Sequence, residues 1–102
     1  MIRSITDYLI PGAEYAKSAR ELAYTMNCNT RDITQMVQDE RRHGAAICVS
    51  RDVEHPGYYL AQTPADVETC CKQLQDRATE IYKTRAAMLK TLERMRQQEQ
   101  ES

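Results

Sequence analysis

The chain has 102 residues, enough for one domain and an appendage but not for two independent cores. Charged residues make up 28%, the hydrophobic class 41%, and the net charge is −1, with three Gly and three Pro, which excludes collagen-like, Pro/Gly-rich disordered and polycationic chains. No apolar run approaches the ~18 residues of a membrane-spanning helix, and Met1-Ile2-Arg3-Ser4-Ile5-Thr6-Asp7 lacks the apolar stretch of a secretory signal. The four cysteines, Cys28, Cys48, Cys70 and Cys71, include an adjacent pair that suits no disulfide framework. The expectation is a cytoplasmic protein with reduced thiols and no membrane partner.

In chain order, Ile2, Ile5 and Leu9 predict a short first helix stopped by Pro11-Gly12. Ser18-Ala19-Arg20-Glu21 is a capping box, and it opens a second helix whose apolar residues Ala19, Leu22, Ala23 and Met26 keep helical spacing. Asn27-Cys28-Asn29 breaks that pattern, because Asn tolerates the left-handed region and competes for backbone bonds. Asn29 or Thr30 then caps a third helix to about His43, with Ile33, Met36 and Val37 on one face and Gly44 in the C-terminal cap position.

After Gly44 the period changes from 3.6 to 2. Ala46-Ile47-Cys48-Val49-Ser50 predicts a strand with Ile47 and Val49 on one side, and Gly57-Tyr58-Tyr59-Leu60-Ala61 predicts the returning strand across a polar turn. Tyr58 and Tyr59 alternate, so one is expected inward and one exposed. Thr63-Pro64-Ala65-Asp66 supplies an N-cap, a Pro at the first helical position and an early acid. From Pro64 to about Gln98 no Gly or Pro intervenes, and Val67, Leu74, Ile81, Met88 and Met95 recur every seven residues. Cys71, Ala78 and Leu92 fill the row four residues on, and Arg85 breaches it. An apolar stripe about 50 Å long on one helix needs a partner, most economically a second copy of itself.

A helix, a short turn and a helix form a unit whose packing requirements are met here, counting from Ala19. Leu22 and Met26 supply apolar residues at the fourth and eighth positions, and Ala23 a small residue at the fifth. Asn27-Cys28 gives a residue tolerant of positive φ followed by an apolar plug, and Ile33 and Met36 fill the fifteenth and eighteenth positions. Together with the hairpin, these residues resemble the winged helix-turn-helix DNA-binding domains of the biotin-repressor type and the small prophage-style regulators like them. The matching residues are Ser18-x-x-Glu21-Leu22-Ala23, Ile33-x-x-x-Val37, Arg41-Arg42-His43-Gly44-x-x-Ile47 and Gly57-Tyr58-Tyr59-Leu60, within residues 4–62. Glu40 departs from the pattern, because the family usually has an apolar residue there. An acid at that position must pair with a base or stay hydrated.

The resemblance, which does not extend to the long C-terminal helix, implies a mainly α fold with a β-hairpin wing, a winged helix-turn-helix domain over 1–62. The apolar pattern adds a dimerisation helix over 63–98, and a disordered tail is expected over 99–102. The resemblance also implies that the third helix enters the major groove of double-stranded DNA while the wing touches backbone. The outward residues Arg31, Thr34, Gln35, Gln38 and Arg42 are the candidate contacts, since Gln pairs with adenine and Arg with guanine. Thr30 and Arg31 are placed to hold a phosphate at the helix start, and Arg51 and His55 are the wing contacts. The homodimer interface is expected at Val67, Cys71, Leu74, Ala78, Ile81, Met88, Leu92 and Met95. Residues 1–60 carry seven Lys/Arg (Arg3, Lys17, Arg20, Arg31, Arg41, Arg42, Arg51) against eight acids, so a monomer should bind DNA weakly and a dimer is needed.

Competing readings follow from the same residues. Asp32 and Asp39 beside the reading face suit a winged-helix protein-interaction module in a phage or replication assembly. A small-molecule effector has no marked pocket, and an oxidation sensor at Cys70-Cys71 has only Lys72 nearby to lower a thiol pKa. A zinc site from Cys48 and His55 matches no common ligand spacing, so no metal or cofactor is expected. No phosphate loop, H-E-x-x-H or G-x-S-x-G occurs, so no enzymatic activity is expected. His43 is expected to cap its helix rather than to catalyse.

Overall fold

A computed structural model describes residues 4–101 of the chain. Ile2 of the expected first helix and Arg3 of the charge count lie outside the described residues, as do Met1 and Ser102. The described chain is mainly helical, with one two-stranded antiparallel hairpin and a long C-terminal helix. By compactness it divides into two units, Met1–Cys70 and Cys71–Ser102.

The first unit begins with two single turns of 3-10 helix, Ile5–Tyr8 and Ala13–Tyr15, where the sequence predicts one short helix before Pro11. The reason is local: Leu9 is already extended, with φ −102° and ψ 150°, and places its side chain in the core. Helix α1 (Ala19–Met26) starts as expected, with Ser18 Oγ accepting from the Glu21 N–H at 3.1 Å. Asn27 ends it in the left-handed conformation, φ 56° and ψ 52°, and Cys28 N–H returns to the Ala23 carbonyl at 2.9 Å. Helix α2 (Thr30–Arg42) is capped by Asn29, whose side chain accepts from Asp32 N–H at 2.8 Å, while Asp32 accepts from Asn29 N–H at 3.3 Å. His43 is its C-cap, its Nδ1 lies 2.7 Å from the Asp39 carbonyl, and Gly44 follows at φ 100°.

Strands β1 (Ile47–Ser50) and β2 (Gly57–Leu60) pair antiparallel, with Ile47 opposite Leu60 and Val49 opposite Tyr58. The other edge of β2 is covered by the segment before α1. Lys17 and Tyr58 exchange both backbone bonds, at 2.9 and 2.8 Å, and Gly12 N–H donates to the Leu60 carbonyl at 3.0 Å. This closes an edge that would otherwise expose unpaired backbone groups.

Ile5, Leu9, Leu22, Ala23, Ile33, Val37 and Ile47 form the core, and Met26, Cys28, Met36, Tyr58 and Leu60 pack around it. The expected division of β1 into an inner face with Ile47 and Val49 is corrected: Ile47, Cys48 and Ser50 are buried and Val49 is only half-buried. Both faces of the strand are covered, because helix α3 (Pro64–Glu101) begins over the second one. There the Cys48 thiol donates to the Asp66 carbonyl at 3.6 Å, and the Cys70 thiol to the Ile47 carbonyl at 3.7 Å. The expectation of one inward and one exposed tyrosine is corrected likewise. Both are half-buried, Tyr58 against the core and Tyr59 beside Cys48.

Helix α3 starts on the expected cap: Thr63 Oγ1 accepts from Asp66 N–H at 3.3 Å, and Asp66 accepts from Gln62 N–H at 2.9 Å. It runs for 38 residues to Glu101, so residues 99–101 are helical where the sequence predicts a disordered tail. The second unit is the part of this helix from Cys71 onward. Among the described residues the ion pairs are Lys72–Asp76 at 3.0 Å and Lys83–Glu80 at 3.1 Å, both exposed helix-surface pairs that contribute little to stability. No described helix is long and apolar enough to cross a membrane.

Candidate functional site

Helix α2 has two chemically distinct faces because its apolar residues keep helical spacing. Ile33 and Val37 are buried, while Thr30, Arg31, Thr34, Gln35, Gln38 and Arg42 are exposed. The caps fix this orientation, since Asn29 and Asp32 satisfy the first N–H groups and His43 and Gly44 end the helix. The exposed face is polar, and its side chains differ in how far they are already engaged. Thr34 Oγ1 donates to the Thr30 carbonyl at 3.1 Å, and Gln35 Nε2 donates to Asp39 Oδ1 at 3.0 Å. Arg31 and Arg42 take part in no ion pair among the described residues.

Arg51 and His55 are both exposed in the turn between β1 and β2, so the structure carries them on a different element from the α2 residues. Two further cations of the first unit are held internally. Lys17 Nζ donates to the Tyr8 carbonyl at 2.9 Å, and Arg41 donates to the Ile47 carbonyl at 2.9 Å and to Cys70 Sγ at 3.7 Å. No local sequence signal announces either contact.

Among the described residues Glu40 pairs with no base. Its carboxylate accepts from the Ser4 hydroxyl, from Ile5 N–H at 2.8 Å and from Thr6 N–H at 3.3 Å. It therefore caps the first 3-10 turn from a distant helix, which is how an acid occupies a position expected to be apolar.

The thiols sit in contrasting surroundings. Burial pushes the Cys48 thiol up to about 11, aided by neighbouring Cys70 and Asp66, and burial likewise raises Tyr59. Cys71 is exposed and Cys70 half-buried. Among the described residues no group of three His, Cys, Asp or Glu side chains is placed to hold a metal ion.

Along α3, the seven-residue row is uncovered: Ile81 is 60%, Met88 68% and Met95 58% exposed. Val67, Leu74 and Leu92 are also exposed, Cys71 is exposed, and Ala78 is half-buried. Comparison with protein-family models, curated proteins and solved structures found no match to this chain.

Proposed function

We propose that residues 4–62 are a winged helix-turn-helix unit of the biotin-repressor type. In this reading the chain binds double-stranded DNA as a homodimer, in the cytoplasm, as a transcriptional regulator. The observation that carries this reading is the α1–turn–α2 geometry. Asn27 in the left-handed region joins two short capped helices, α2 turns a polar face to solvent, and a hairpin follows. In that arrangement α2 lies in the major groove and the hairpin turn against the backbone. Gln38 offers base-pairing chemistry, and Arg31, Arg42 and Arg51 offer phosphate contacts. Gln35 must release Asp39 before it can read a base, so it contributes less than Gln38. The four free cysteines suit a reducing compartment.

Lys17 and Arg41 are spent on backbone carbonyls, so few cations remain for phosphate, and binding requires two copies of the unit. The apolar row of α3 supplies the second copy. The test is fluorescence anisotropy on labelled duplex DNA. Arg42→Ala should weaken binding across all sequences and reduce the salt slope by about 2, one contact being lost from each copy, whereas Gln38→Ala should cost roughly 1–3 kcal/mol at one base position only. Equal binding by wild type and Arg42→Ala refutes the placement of α2.

A second reading, a protein-interaction module, is favoured by exposed acids and apolar side chains of the first unit. Asp32 and Asp39 are exposed on α2 and Asp52 and Glu54 in the hairpin turn, and Tyr24 on α1 and Val53 in the turn are 90% and 94% exposed. That reading predicts no duplex binding at low salt.

A further inference from the structure

Helix α3 alternates spacings of four and three along Val67, Cys71, Leu74, Ala78, Ile81, Arg85, Met88, Leu92 and Met95, which is the two-row seam of a coiled coil. One row is Val67, Leu74, Ile81, Met88 and Met95, and the other is Cys71, Ala78, Arg85 and Leu92. The second row is chemically uneven, with two small residues, one cation and one large apolar residue. That unevenness selects between the two ways a second copy can lie.

In a parallel, in-register pair each residue faces its own counterpart. Ala78 would meet Ala78 and leave a void, Met88 would crowd Met88, and the two Arg85 guanidinium groups would share one layer of the seam. In an antiparallel pair one row faces the other. Aligning the helices so that their midpoints coincide near residue 83 overlaps nearly all of Pro64–Glu101. Small residues then meet large ones: Cys71 faces Met95 and Ala78 faces Met88, while Leu74 faces Leu92. Arg85 faces Ile81, against which its aliphatic stem packs while the guanidinium reaches water at the edge.

The flanking charges make the same choice. Among the positions beside the first row, Glu68, Gln75, Tyr82, Leu89 and Arg96, there is one acid and one base. The antiparallel alignment sets Glu68 of each helix opposite Arg96 of the other, twice per dimer. Parallel pairing gives neither of them an opposite charge, since their cross-helix neighbours there are uncharged or alike.

We propose that α3 pairs with a second copy of itself as an antiparallel coiled coil centred near residue 83, with the layers Cys71–Met95, Leu74–Leu92, Ala78–Met88 and Ile81–Arg85. This rests on the homodimer reading above and specifies its geometry. The two helix N-termini then lie about 55 Å apart instead of side by side.

Cys71 provides the test, because it is exposed and sits in the seam. Full-length wild type and Met95→Cys are first weighed by light scattering, then oxidised mildly, and their disulfides are mapped by peptide mass spectrometry. In the Met95→Cys chain the antiparallel dimer links Cys71 of one copy to the introduced thiol at position 95 of the other. In wild type it forms no Cys71–Cys71 link. A Cys71–Cys71 link in wild type overturns the orientation while leaving the dimer intact. A dimeric Met95→Cys chain that forms no link between positions 71 and 95 overturns it as well. A monomer at ~100 μM sinks the homodimer reading itself. Charge exchange gives a second readout: Glu68→Arg should raise the dimer dissociation constant roughly 3- to 30-fold, and adding Arg96→Glu should restore it. Failure of the double exchange to restore pairing contradicts the alignment.

Discussion

Glu40 gives the sharpest stability prediction, because its position at the junction of α2 and the first 3-10 turn is a single side chain holding two elements 35 residues apart. Replacing it with Ala removes the acceptor of the Ser4 hydroxyl and of the Ile5 and Thr6 N–H groups. Ser4 Oγ still accepts from Thr6 N–H at 3.3 Å, so that donor keeps a partner. Ile5 N–H does not, and Ile5 is fully buried, so its donor is stranded beside the core. A hydrogen bond to a charged group contributes about 1.5–3 kcal/mol and a lost cap about 1 kcal/mol. With Glu40 half-buried, the loss should be on the order of 2 kcal/mol, or a fall in midpoint of roughly 8–16 °C for a unit of this size. Glu40→Gln keeps an acceptor without the charge and should lose about half as much. The assay is thermal unfolding followed by near-ultraviolet circular dichroism, which reports Tyr8 and Tyr58 against the core. If Glu40→Ala stays within ~0.5 kcal/mol of wild type, the carboxylate is not the anchor of that turn.

Other consequences are as direct. Gly57 and Gly44 both have positive φ, but a Cβ on Gly57 would overlap the Lys17 carbonyl, whereas nothing lies within 4 Å of one on Gly44. Gly57→Ala should therefore cost more than about 3 kcal/mol and Gly44→Ala only about 1 kcal/mol in denaturant titration; equal costs refute the close approach of β2 to Lys17. The Cys48 thiol is raised from 9.0 to about 11, so the native state holds that proton more tightly than the unfolded chain. Its stabilising contribution is full below pH 9.0 and is lost as pH rises through about 11, with Tyr59 adding to the same trend. The urea midpoint should fall between about pH 8 and about pH 10.5, and Cys48→Ala should flatten the fall; an equally steep fall in that variant refutes the assignment to Cys48. Leu74→Asp, which would set an unpaired acid against Leu92, should give monomers by light scattering; an unchanged dimer mass means that the seam lies elsewhere on α3.

The features legible in the sequence are those decided within one helical turn. Ser18, Asn27, Gly44 and Thr63-Pro64-Asp66 each act on backbone groups a few residues away, and each occupies the cap or turn that its chemistry favours. The capping box at Asn29 and Asp32 has the same local character, with an N-x-x-D spacing as readable as that of Ser18 and Glu21. Contacts made at long separation are not legible. Nothing near Glu40 points to Ser4, nothing near Arg41 points to Ile47, and the pairing of Lys17 with β2 has no pattern of its own because it lies outside regular strand. These contacts decide the candidate site as well as the fold, since they remove Lys17 and Arg41 from the cations available to a partner. The seven-residue row on α3 is readable because its period is fixed, and the uneven second row carries the information about orientation.

The measurement closest to the central proposal is the salt dependence of binding to random duplex DNA. Arg31, Arg42 and Arg51 are the exposed cations on α2 and the hairpin turn, three per chain and about six in a dimer. Six phosphate contacts give a slope of about −5 in log affinity against log salt, so raising salt from roughly 50 to 200 mM should weaken binding about a thousandfold. A monomer using three contacts would lose only about fortyfold. A slope near −5 supports DNA binding by a dimer through this face. Absence of binding at the lower salt, with protein up to ~100 μM, contradicts the DNA-binding reading and leaves the protein-interaction module in its place.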